Sequence, residues 1–226
     1  ANLCPGDIVL ISSDCHKSIP YGIVLTGASV IFLQTNAVEK YDLYGAISLS
    51  QIKDKMRDLE KANLLGKLKQ IILTNSTFDG ALYDVESYML EILAIKADVI
   101  FHWDEAWCAH THFHPLYERR HAMSVAQKLK NRFSSSEYLI EYKQSKNKTR
   151  LPDPQKVKVR AYATQSTHKT LSSFRQGSMI HICDELFNTE IFLDAFYTHT
   201  STSPNYQILA SLDVARRQMG LEGYAM

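Results

Sequence analysis

Two rhythms of apolar and polar positions alternate along the chain. One is a short, nearly all-apolar run of strand length. It recurs at residues 7–14 (DIVLISSD), 29–35 (SVIFLQT), 69–75 (KQIILTN), 98–104 (DVIFHWD), 157–164 (VKVRAYAT) and 178–182 (SMIHI). The other spaces apolar residues three or four apart, as one face of a helix requires. It covers residues 16–27, 49–63, 84–97, 188–199 and 203–219. In residues 49–63 the stripe is Ile52, Met56 and Leu59, with Ser48 or Ser50 placed to cap the helix. Asp84 caps the third helix, and Gly27 ends the first. Strands this apolar, alternating with helices, predict an α/β fold: a mainly parallel sheet with helices on both faces. Ligands of such sheets gather at the carboxyl ends of the strands.

One segment breaks the rhythm. Residues 127–156 are polar and rich in lysine. Their first part predicts a surface helix and residues 146–156 a loop, so the whole reads as a solvated insertion. It lacks the interleaved aromatics of a platform for single-stranded nucleic acid. Residues 1–3 look like the tail of a helix ended by Pro5 and Gly6, and the last residues stop within or just after a helical pattern. The chain therefore reads as an excerpt of a longer one.

Composition narrows the picture mainly by exclusion. The 226 residues are 45% hydrophobic, enough for the core of one α/β domain. A net charge of +1 gives no bulk field directed at nucleic acid or an anionic membrane. No apolar run reaches the roughly 18 residues that a membrane span needs, and the first residues do not form a secretory leader. Cys4, Cys15, Cys108 and Cys183 are scattered, which reads as free thiols in a reducing cytoplasm.

The strand ends carry the chemistry. VLISSDCHKS delivers Asp14 and His16, and IILTNSTFDG delivers Asn75, Thr77 and Asp79. VIFHWDEAW delivers Asp104, and AYATQSTHK delivers Ser166, His168 and Lys169. A carboxylate at the end of an apolar strand is costly unless a cation meets it. An amine in such a crevice can be held neutral and then forms a Schiff base with an aldehyde. If that aldehyde is pyridoxal phosphate, Asp104 suits the pyridine nitrogen, His16 the ring face, and Ser166 and His168 the phosphate.

Five stretches, in order, carry a specific resemblance: DCHKSIPYGIVLTGA, LTNSTFDG, DEAWCAHTHFHP, ATQSTHKTLSSFRQGSMIH and HTSTSPNYQILASLD. The chain resembles the bacterial ornithine/lysine/arginine decarboxylases over nearly its whole length. These are pyridoxal-phosphate enzymes with the aspartate-aminotransferase fold, fold type I. The resemblance implies that residues 1–226 are cofactor-binding large domain, without its upstream phosphate loop and the C-terminal small domain. It implies Lys169 as the Schiff-base lysine, Asp104 at the pyridine nitrogen and His16 stacked on the ring. Ser166 and His168 would bind phosphate, and Ala106 and Trp107 would line the ring's other side. Thr77 and Asp79 would sit near the cofactor. Residues 200–203, Ser201 among them, would lie at the interface of a homodimer or larger homo-oligomer.

The implied reaction is decarboxylation of ornithine, lysine or arginine, with the excerpt alone a poor catalyst. An aminotransferase or aldolase on the same fold and a truncated non-catalytic domain are the other readings. The histidines of HWDEAWCAHTHFHPLYERRH invite a metal reading, but no second Cys or His pair stands at the spacing a structural site needs. No metal is expected.

Overall fold

The computed structural model describes residues 1–145, 151–223 and 225. Along the chain the elements are β1 (Ile8–Ser12), α1 (Ser18–Val24), β2 (Ser29–Leu33), β3 (Ala37–Val38), β4 (Leu43–Tyr44) and α2 (Leu49–Lys61). Then come β5 (Leu68–Thr74), α3 (Val85–Leu93), β6 (Ile100–Asp104), α4 (Ala122–Phe133) and α5 (Ser136–Gln144). The last are β7 (Arg160–Gln165), α6 (Thr167–Thr170), β8 (Met179–Asp184), α7 (Thr189–His199) and α8 (Tyr206–Glu222).

Six strands form one sheet in the order β2-β1-β5-β6-β7-β8. All pair in parallel except β8, which runs antiparallel to β7. β3 and β4 make a separate two-residue ladder that no pattern in the sequence announced.

Alternation along the strands sorts the side chains into two layers. Leu10, Leu33, Ile71, Leu73, Phe101, Trp103, Ala161 and Ala163 face one way. They pack against Ile52, Met56 and Leu59 of α2, against Val85 and Met89 of α3, and against Val125 and Leu129 of α4. Val9, Ile11 and Ile72 face the other way and meet Ile19 and Ile23 of α1. Each large side chain sealed this way contributes about 1.5–3 kcal/mol of transfer free energy. The second face is only partly covered, and its uncovered part is where the cleft described below opens.

The helix starts follow cap chemistry. Ser48, not Ser50, accepts from the Gln51 amide at 3.3 Å, and Asp84 accepts from the Ser87 amide at 3.3 Å. Gly27 takes φ +70° just beyond α1. Residues 1–4 are not helical. There the Cys4 amide donates to Asp7 Oδ2 at 2.9 Å, across a turn in which Gly6 takes φ +92°.

The segment 127–156 is less solvated than its composition implies. Leu129 and Phe133 of α4 are buried, and so is Tyr138 of α5, whose hydroxyl donates to the Pro152 carbonyl at 2.7 Å. The apolar stripe starts at Ala122 and Val125, so a boundary drawn at residue 127 cuts it in half. Of the loop expected over residues 146–156, residues 146–150 lie outside the described residues.

A half-buried ion pair ties β7 to β8. Arg160 Nε and Nη2 donate to the two oxygens of Asp184 at 2.8 and 2.9 Å, and the Tyr162 hydroxyl donates to Asp184 Oδ2 at 2.7 Å. Burial pushes the Asp184 carboxyl up, but the Arg160 and Tyr162 hydrogen bonds outweigh it and hold it below its ordinary value. Asp184→Ala leaves the half-buried Arg160 and the Tyr162 hydroxyl without their acceptor and should cost about 1–3 kcal/mol. Urea unfolding reads this directly; a loss below about 1 kcal/mol would contradict the role given to the pair.

Candidate active site

The parallel register lines up Thr74, Asp104 and Thr164 at the carboxyl ends of β5, β6 and β7. One residue back, Leu73, Trp103 and Ala163 point into the core. The alternation that buries those three turns the polar three outward. Above them lies an open cleft of about 970 Å³. The turn after β1 brings Asp14 and His16 to it, and the turn after β6 brings Ala106 and Trp107. Ser166 and Lys169 reach it from the end of β7 and from α6.

Asp104 is only 9% exposed. Its Oδ1 accepts from the Ala106 amide at 3.2 Å, and its backbone carbonyl accepts from the Asn75 amide at 2.8 Å. The His16 ring is set by Ser18: the Ser18 amide donates to Nδ1 at 3.3 Å, and the Ser18 hydroxyl is 2.8 Å from the same atom. Because Nδ1 accepts, the proton of the neutral ring sits on Nε2. Lys169 Nζ lies 5.0 Å from the centre of the Trp107 ring, a cation–π contact. Phe78 meets Trp107 edge-on at 6.0 Å.

Six of the ten expected residues therefore line one cleft: Lys169, Asp104, His16, Ser166, Ala106 and Trp107. Four do not, each for a visible reason. His168 Nδ1 donates to the Gly177 carbonyl at 2.8 Å and pins the loop before β8. There a Cβ on Gly177 would meet Leu212 of α8 at 3.0 Å. Thr77 is buried and closes its own turn, accepting at Oγ1 from the Ala81 amide at 3.1 Å. Asp79 is exposed and accepts from the Tyr44 amide at 3.2 Å, holding β4. Ser201 is exposed and bonds with Ser203; its neighbour Thr200 lines the cleft instead.

The sequence pointed to no role at the site for Gln165, His102 or Glu105. Gln165 and His102 line the cleft. His102 Nε2 lies 3.1 Å from Thr164 Oγ1, and burial holds its imidazole below its ordinary pKa. Glu105 has no exposed surface. It accepts from the Ala122 amide at 2.7 Å and from the Gln165 side-chain amide at 3.1 Å. Burial raises its carboxyl to about 7. The alternation of β6 was the available signal for His102, two residues before Asp104 on the same face. Glu105 follows Asp104 in DEAW, but nothing in the sequence says what it meets.

The donor set suits an anionic, aromatic cofactor with a basic ring nitrogen. Asp104 offers a carboxylate, and His16 and Trp107 offer flat faces. Ser166 starts α6 without spending its hydroxyl on a cap, and Thr74 Oγ1 is buried without a partner beside Asp104. Among the described residues no group of three or more His, Cys, Asp or Glu is placed to hold a metal ion. No helix among them is long and apolar enough to cross a membrane.

A family model described as Orn/Lys/Arg decarboxylase, major domain, matches residues 1–135 and 131–226. Lysine decarboxylase LdcA of Pseudomonas aeruginosa is 35% identical over 222 residues, 94% of this chain and 26% of LdcA. The crystal structure of the Francisella novicida lysine decarboxylase LdcF superposes with a TM-score of 0.71 at 28% identity, over 96% of this chain and 26% of that one. Cystalysin from Treponema denticola, whose crystal structure contains pyridoxal 5'-phosphate, shares the fold alone. Its TM-score is 0.54 at 14% identity, over 96% of this chain and 45% of cystalysin. The chain thus spans about a quarter of the length of the decarboxylases it matches.

The raised Glu105 carboxyl has a consequence for stability. The folded chain holds this proton up to about pH 7, against an ordinary value of 4.5. Its contribution is complete below about pH 4.5 and is lost as pH rises through about 7, on the order of 3 kcal/mol in all. Glu105→Gln should flatten that part of the stability profile. Urea midpoints at acid and alkaline pH measure it, and an unchanged slope in the variant would contradict it.

Proposed function

The chain belongs to the Orn/Lys/Arg decarboxylase family, within its major domain, and from that premise we propose that its parent protein is a pyridoxal-phosphate-dependent decarboxylase of a basic amino acid. Lysine is the first substrate to test, because LdcA and LdcF are both named lysine decarboxylases. Ornithine and arginine complete the family's range. The observation that carries the reading is that Lys169 and Asp104 line one cleft in a chain matched by that family.

Lys169 Nζ is the amine that holds the cofactor and later returns a proton to the substrate's α-carbon. Asp104 keeps a proton on the pyridine nitrogen through Oδ2, since Oδ1 is engaged by the Ala106 amide. His16, its ring fixed by Ser18, covers one face, with Ala106 and Trp107 on the other side. Ser166 gives its hydroxyl to the phosphate, and His168 supports it by fixing the Gly177 loop. Bound there, pyridoxal phosphate supplies the electron sink for the pair of electrons left when carbon dioxide departs. Trp107, with Phe78 packed edge-on against it, lies beside Lys169 in the cleft.

The active form is a homodimer or larger homo-oligomer in the cytoplasm. Residues 200–203 lie at its subunit boundary, where the hydroxyl of Ser201 serves the partner's phosphate. Shared sites of this kind are commonly built by isologous dimers.

Incubating the parent protein with lysine, ornithine or arginine and identifying the products tests the reaction class. Carbon dioxide and the matching amine are expected. A keto acid, or cleavage beyond the α-carbon, would point to an aminotransferase or aldolase. Lys169→Ala should lower turnover by about four orders of magnitude. Asp104→Asn should lower it about 100- to 1,000-fold while the fold survives. Near-normal turnover of either variant removes that residue from the mechanism.

A further inference from the structure

A chain of hydrogen bonds, buried at Glu105 and part-buried beyond it, leads from the base of the cleft to the edge strand. Glu105 Oε1 accepts from the Ala122 amide at 2.7 Å and from Asn75 Nδ2 at 3.4 Å. Its Oε2 accepts from Gln165 Nε2 at 3.1 Å. Gln165 then turns its carbonyl Oε1 to His181 Nε2 on β8, 3.1 Å away. A carbonyl only accepts, so His181 donates from Nε2. Gln165 is therefore an amide held between an acid and an imidazole. It also lines the cleft, next to Ser166.

We propose that Glu105, Gln165 and His181 form a two-state hydrogen-bond relay, in which Glu105 is a positioning residue for the strand end carrying Ser166 and Lys169. The link to Lys169 rests on the cofactor reading of the cleft. With Glu105 ionised, every donor in the chain meets an acceptor. A proton added from solvent lands on Oε2, because Oε1 already accepts two N–H groups. The new O–H then faces the Gln165 N–H, donor against donor. Leaving such a buried donor unmet costs about 1–3 kcal/mol. Turning the Gln165 amide over removes the clash. Gln165 Oε1 accepts from Glu105, Gln165 Nε2 donates to His181 Nε2, and the His181 proton moves to Nδ1. One proton is taken up and one imidazole changes tautomer; no bond between heavy atoms is made or broken.

The surroundings keep both states within reach. Asp104 and Cys108 face Glu105, and the Cys108 thiol is pushed by burial to about 12, so it stays neutral. His112 and His121 stand near His181, with their rings 5.4 Å apart. Burial, then His112, lowers His181; burial, then His112 and His181, lowers His121 to about 4. His181 is consequently neutral where Glu105 takes up its proton at about 7, as the turned state requires.

Nitrogen-15 spectra of the histidine side chains, recorded on the cofactor-free parent protein, read the relay directly. The His181 signals are identified by their loss in His181→Asn. In the unmodified protein His181 should carry its proton on Nε2 above the Glu105 midpoint and on Nδ1 below it. Glu105→Gln imitates the protonated acid, since its Nε2–H donates to the turned Gln165, and should keep the Nδ1–H form throughout. One tautomer at every pH in the unmodified protein, or the same pH-linked change in the variant, overturns the relay. Pyridoxal phosphate affinity supplies the positioning readout. Its change between acid and alkaline pH should differ at least about fivefold between the unmodified protein and Glu105→Gln; identical profiles remove the positioning role. The tautomer readout needs no cofactor, so its failure leaves the Lys169 assignment standing, and an inactive enzyme leaves the tautomer readout standing.

Discussion

The structure depends on the in-register parallel pairing of β5, β6 and β7. Side chains alternate along a strand, so neighbouring strands in register present matched rows. The row Leu73–Trp103–Ala163 is core and the row Thr74–Asp104–Thr164 is cleft. A slip of one residue in β6 would put Trp103 in the cleft and Asp104 in the core. Burying a lone carboxylate costs several kcal/mol, so the packing of Trp103 and the chemistry of Asp104 are two results of one constraint. Trp103 reinforces it, stacked 6.4 Å from Phe101 and edge-on to Tyr83 at 5.7 Å.

The same rows explain why the cleft floor is polar without being wet throughout. His102 is held by Thr164, and Glu105 is tied to the start of α4, to the turn after β5 and to the end of β7. Placing the Glu105 carboxylate at the first amide of α4 also sets a negative group against the positive end of a helix. Four elements that share no sequence neighbourhood thus meet at one side chain. Asp104 and Ser166 each adjoin a residue of that meeting, Glu105 and Gln165.

Much of this was legible in the sequence because it is local. Strand length, helical stripes, the Asp84 cap and the Gly27 stop are short-range signals, and each has its counterpart in the fold. The residues that line the cleft were legible where they end strands, as Asp104 and Ser166 do. What the sequence hid is long-range. Glu105 meets Ala122 and Gln165, 17 and 60 residues away, and no spacing rule reaches that far. His168 and Asp79 look like site residues in sequence, yet their side chains are spent on a loop and on a small ladder. Residues 127–156 read as solvated because composition averages over the buried and exposed faces of an amphipathic helix.

The central proposal is that Lys169, which lines the same cleft as Asp104, holds the cofactor of the parent protein. Borohydride reduction of the parent protein loaded with pyridoxal phosphate, followed by peptide mass mapping, tests it most directly. The account predicts one modified peptide, with the pyridoxyl group on Lys169. A label on any other lysine, or none after reduction of the loaded protein, would contradict it.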